Sequence, residues 1–206
     1  MSASATNPAN MVPPGGTVIH GKKQDLVVTD RTISIGGRAF ELAAVDRVVY
    51  RSAARINQAS YRIGVGQGDE TCLFTFDAYK RGTELADSRR LYGQVVEVLE
   101  AVVCPAIAAA AARAVTAGQT VTFGSSPAAR INADAEGLRP RRPFARTVPW
   151  SRIVHADLHQ GQARVWTAGS GDAEDGRRNS SPAMSMDMMG WNAVVLPRVV
   201  GLLGRR

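Results

Sequence analysis

A chain of 206 residues with 45% hydrophobic and 21% charged side chains is long enough for one sizeable domain or two small ones, and apolar enough to bury a core. Its formal charge of +7 comes mostly from arginine, so nucleic acid, anionic lipid and acidic protein faces are the partners it attracts. The two cysteines, Cys72 and Cys104, lie in the apolar stretches ETCLFTF and AVVCPAI and belong to no CxxC pair, which excludes a disulfide framework and fits free thiols in a reducing compartment.

The first sixteen residues, MSASATNPANMVPPGG, lack the basic start and apolar stretch of a signal peptide and read as a disordered arm, which makes the cytoplasm the expected location. Order begins near Thr17. TVIHG and DLVVTD are short extended segments split by a polar turn at Lys22–Gln24. RTISIGG alternates and ends in two glycines, and RAFELAAVDRVVYRS continues with β-branched and aromatic residues. SYRIGVGQG and ETCLFTFDA form two more strands across a glycine turn.

The period then changes. Leu85, Leu91, Val95, Val98, Leu99, Val102 and Val103 recur at three-to-four spacing and predict a helix from about Glu84 to Val115. Glu84 and Asp87 near its start suit the helix dipole. Glu97, Glu100 and Arg113 argue against a membrane span. Pro105 removes an amide and is expected to kink or divide the helix. After Gly118 strand signals return in QTVTFG, in ARINADAEGLRP as a hairpin around Ala135–Gly137, in ARTVPWSRIVHADL and GQARVWTAG as neighbours, and in AMSMDM. Ser170–Pro182 is a polar, glycine-rich loop, expected to be mobile. GWNAVVLPRVVGLLGRR carries a last short helical stripe, with Pro197 in its first turns or breaking it.

The halves echo one another. Phe40–Tyr50 can be set over Phe144–His155, matching Val45–Tyr50 with Trp150–His155, and CLFTF then takes the place of AMSMDM. The stretch Val148-Pro149-Trp150-Ser151-Arg152-Ile153, an extended segment followed by a glycine turn and another strand, resembles bacterial pleckstrin-homology-like (PH-like) proteins. That resemblance implies a curved antiparallel sheet closed by a carboxy-terminal helix, used for non-catalytic binding of lipid headgroups, peptides or partner proteins. The expected fold is therefore α+β: residues 1–16 as an arm, then two related sheet-plus-helix modules at 17–115 and 118–206 joined by a long helix. Each module is marginal in core size, so mutual packing or a homodimer would add burial.

Candidate binding residues are arginines, whose rigid fork suits phosphate and carboxylate. One set is Arg47 and Arg51, with Arg55 and Arg62 near them and Asp46 as the nearby acid; the other is Arg139, Arg141, Arg142, Arg146 and Arg152, with Trp150 beside it as core anchor or contact aromatic. The arginine cluster lacks interleaved exposed aromatics, which disfavours an RNA stacking platform. His155, Asp157 and His159 alternate and would share a strand face in a metal-like arrangement, but no second cluster supports a metal. No nucleophile elbow or phosphate-binding loop is present, so no catalytic residue, metal or cofactor is expected. The expected function is a non-catalytic binding or scaffold protein that recognises a partner protein through a sheet edge or helix groove. The alternative is a binder of nucleic acid or anionic membrane through the arginines.

Overall fold

The structure is a computed structural model that describes residues 16–125, 130–142, 144–168 and 181–204. The amino-terminal arm and most of the Ser170–Pro182 loop lie outside the described residues. The fold is α+β, with antiparallel sheets and a long helix, and the chain divides into two compact units between Cys104 and Pro105.

The first unit opens with a four-stranded meander: β1 (Thr17–His20), β2 (Asp25–Val28), β3 (Thr32–Ile35) and β4 (Arg38–Glu41). Alternation drives it: Ile19, Leu26, Val28, Ile33, Ile35 and Phe40 all turn inward. The β3–β4 turn is Gly36-Gly37, both at positive φ, as a two-residue hairpin loop requires. A 3-10 turn at Leu42–Ala44 leads into a three-stranded sheet of β5 (Arg47–Ala54), β6 (Gln58–Gln67) and β7 (Glu70–Tyr79). Helix α1 (Glu84–Val98) then packs on β1, β6 and β7. Its Tyr92 meets Tyr61, which stacks on Phe76 with centroids 4.7 Å apart. Burial first, and the Tyr61 hydroxyl second, push the Tyr92 phenol well above its usual range.

The helix does not break at Pro105. Leu99–Val103 form a π turn in which the Cys104 amide donates to the Leu99 carbonyl, and α2 (Cys104–Thr116) follows directly. Proline cannot donate to the carbonyl four residues back, and its ring would crowd that carbonyl. Widening the preceding turn by one residue removes both problems, so the expected kink becomes a π turn. The run Glu84–Thr116 is long and apolar enough to cross a membrane by length and composition, yet 44% of its most apolar window is buried within the protein. Cys104 is buried and Cys72 is half-buried, and neither forms a disulfide among the described residues.

The second unit repeats the order of elements. β8 (Val121–Phe123), β9 (Ile131–Ala133), β10 (Gly137–Pro140) and β11 (Val148–Pro149) form a four-stranded sheet. A 3-10 turn at Trp150–Arg152 leads to β12 (Ile153–His159), β13 (Gln162–Thr167) and β14 (Met184–Asp187). A further 3-10 turn, Ala193–Val195, enters α3 (Leu196–Leu203), which packs on β12 and β13. Pro197 lies in the first turn of α3, where its missing amide costs nothing. A 3-10 turn precedes the three-stranded sheet in each unit, at Leu42–Ala44 and at Trp150–Arg152.

Candidate functional site

The β9–β10 hairpin organises the arginines of the second unit. The Asp134 carboxylate accepts the Glu136 and Gly137 amides at 2.9 and 3.2 Å and sets the turn. The register pairs Arg139 with Asn132 and Pro140 with Ile131, and the Arg141 amide donates to the Arg130 carbonyl at 2.8 Å. Arg130 and Arg141 are therefore neighbours across the open end of the hairpin. Sequence reading passed over Arg130, although the hairpin register alone places it there.

Arg130 and Arg142 line a pocket of about 340 Å³ whose other wall is β14, with Ser185, Met186 and Asp187. Arg130 donates to the Ser125 carbonyl at 3.1 Å, while its buried Nε has no partner among the described residues. Arg139, Arg141, Arg142, Arg146 and Arg152 are all exposed, and among the described residues none pairs with a carboxylate. Trp150 lies toward the other end of the hairpin. It is half-buried, and its indole N–H donates to the Asp134 carbonyl at 2.9 Å. Arg152, two residues on in the same 3-10 turn, is on that side too.

One expectation is corrected. The arginine segment does hold an exposed aromatic: Phe144, between Arg142 and Arg146, is fully exposed and sits at φ 62°. The sequence RRPFAR carries this signal, an aromatic set between arginines.

The first-unit arginines differ. Arg47 is half-buried and its Nε lies 3.2 Å from the Asp46 carboxylate, whose other oxygen holds the Gly68 amide at 2.8 Å. Arg51 is half-buried on β5, directly opposite Arg62 on β6. Neither side chain reads as a free cation. Lys22 and Lys23, in the β1–β2 turn, line a groove of about 660 Å³ and have no carboxylate partner among the described residues.

His155, Asp157 and His159 do share the outer face of β12, opposite Trp166, Arg164 and Gln162. A bulge at Val154 lets Ile153 remain buried while His155 turns outward. Arg164 grips Asp157 with two hydrogen bonds of 2.8 and 2.7 Å, His155 stacks on Trp166 at 5.7 Å, and the Arg164 guanidinium lies 5.1 Å from the Trp166 ring. Among the described residues no group of three or more His, Cys, Asp or Glu could hold a metal. The Arg164 fork, partly opposed by burial, holds the Asp157 carboxyl below the ordinary carboxylate range. A depressed folded pKa means that this stabilisation is full above the unfolded value of about 4 and is lost as pH falls through the folded one. Asp157→Asn is expected to cost roughly 0.5–1 kcal/mol at neutral pH, discounted for partial exposure, and nothing in strong acid. Urea titrations of both forms at several pH values, followed by tryptophan fluorescence, check the convergence.

No protein-family model matches the chain, and no curated protein is similar to it in sequence.

Proposed function

We propose that the chain is a non-catalytic, cytoplasmic recognition protein of two PH-like modules, which binds a partner protein through the loop Arg141–Arg146. The carrying observation is that loop: a fully exposed Phe144 flanked by arginines that no described carboxylate neutralises. An exposed aromatic costs contact with water until a partner covers it, and aromatic and arginine side chains carry much of the energy of protein interfaces. The fitting surface is an apolar pocket with an acidic rim. The module assignment is supported by the element order, which runs in each unit from a four-stranded sheet through a 3-10 turn to a three-stranded sheet and a helix.

A second reading rests on the same loop, since an aromatic among basic residues also suits the interface of an anionic membrane. Capture from cell extract on the immobilised chain, at about 0.1 M and about 0.5 M salt, separates the readings because screening weakens exposed charge contacts. A protein held by the native chain is expected to be lost from both Phe144→Ala and the double variant R141E/R142E at the lower salt. A captured set unchanged by both variants overturns the proposal. Sedimentation with phosphatidylserine vesicles but not phosphatidylcholine vesicles, lost in the same variants, moves the assignment to the membrane.

A further inference from the structure

The open edge of β7 has an unusual pair of stoppers. Among the described residues β7 pairs only with β6, and the two-residue turn after Gln67 directs the main-chain groups of Leu73, Thr75, Asp77 and Tyr79 away from β6. The Gln24 side-chain amide donates to the Leu73 carbonyl at 2.6 Å, and the Glu84 carboxylate accepts the Tyr79 amide at 3.1 Å. Two side chains thus stand where a neighbouring strand would. Between them the outward N–H and C=O groups of Thr75 and Asp77 have no partner among the described residues, and both residues face the groove of about 660 Å³.

That groove is shaped for an extended chain. Val18 on β1, Phe76 on β7 and Leu91 on α1 supply apolar walls. Its charge is polarised along β7. Lys22 and Lys23 stand at the Leu73 end, without a carboxylate partner among the described residues, while Asp77 and Glu84 stand at the Tyr79 end. A strand laid antiparallel to β7 runs from the acidic end to the basic end. The complementary segment therefore begins with a basic side chain, alternates apolar residues, and ends in an acidic side chain or a free carboxylate.

We propose that the first unit binds such a peptide segment of another protein as a fourth strand on β7, hydrogen-bonded to Thr75 and Asp77 between β1 and α1. Main-chain bonds of this kind supply affinity, and the alternate side chains and terminal charges supply selectivity. The chain's own first sixteen residues are a poor occupant, since they carry no acidic side chain and three prolines. The proposal stands independently of the Arg141–Arg146 loop.

The test is selection of random displayed peptides on the immobilised full chain, followed by synthesis of the enriched sequence. The expected motif is basic, alternating apolar, then acidic, and its binding is expected to slow hydrogen exchange at the Thr75 and Asp77 amides. Lys22→Glu with Lys23→Glu is expected to weaken it about tenfold or more, and Thr75→Pro, which removes one edge amide, by a similar factor. The lysine variants sit in an exposed turn, so they keep the test valid even where the proline variant fails to fold. No enriched peptide overturns the proposal. So does a peptide whose binding falls with R141E/R142E instead, an outcome that leaves the loop reading standing. Concentration-dependent protection of Thr75 without peptide also overturns it, in favour of a second copy on the same edge.

Discussion

Gly137→Ala is expected to unfold the second unit or to cost it about 3 kcal/mol or more. Gly137 opens β10 opposite Pro149, with φ at 157°. A methyl group there would run into the Val148 carbonyl oxygen and would lie 2.7 Å from the Val148 carbonyl carbon and 2.8 Å from the Pro149 Cα. All three are backbone atoms, so no side chain can rotate away, and relief requires β11 to leave β10. β11 is held there through only two residue pairs, Gly137–Pro149 and Leu138–Val148. Moving it also pulls Trp150 from the Asp134 carbonyl. The measurement is clean because Trp150, Trp166 and Trp191 are the only tryptophans and all lie in the second unit. Urea unfolding followed by tryptophan fluorescence should shift strongly to lower denaturant. An unchanged midpoint would mean that β11 does not lie against Gly137 in solution.

What the sequence made legible followed from period and turn chemistry. Alternation in DLVV and TISI, with Gly36-Gly37 beyond, gave the β2–β3–β4 meander directly, and the apolar stripe from Leu85 gave the helix. What it hid were departures from period. The bulge at Val154 places Ile153 and His155 on opposite faces, where an unbroken strand would have put them on one. The π turn at Leu99–Val103 is set by a proline lying two residues beyond it. The 3-10 turns at Leu42–Ala44 and Trp150–Arg152, which precede the three-stranded sheets, have no strong sequence mark. The binding features were hidden differently. Arg130 becomes a neighbour of Arg141 only through hairpin register, and the groove beside β7 exists only because β1 and α1, distant in sequence, flank one strand edge.

Phe74→Ala is the matching test for the first unit, with an expected cost of about 3–5 kcal/mol. Phe74 is completely buried on the core face of β7, tilted against Phe76 with centroids 5.5 Å apart. Its ring also packs against the backbone of the β1–β2 turn. A methyl group built on Gly21 would lie 2.7 Å from the ring's Cε2, so Gly21 is bare because the ring occupies its side-chain space. Removing the ring leaves a cavity that a glycine cannot fill, and partial collapse would have to carry the turn inward. That turn bears Gln24, whose bond to Leu73 closes one end of the β7 groove. Stability and peptide binding should therefore fall together, whereas the charge reversal at Lys22 and Lys23 should lower binding alone. All four tyrosines, Tyr50, Tyr61, Tyr79 and Tyr92, lie in the first unit, so near-ultraviolet circular dichroism in the tyrosine region follows its melting separately from the tryptophans. A Phe74→Leu variant should recover part of the loss. If Phe74→Ala lowers peptide binding with no change in that melt, the ring supports the groove without anchoring the core, and its complete burial has been misjudged.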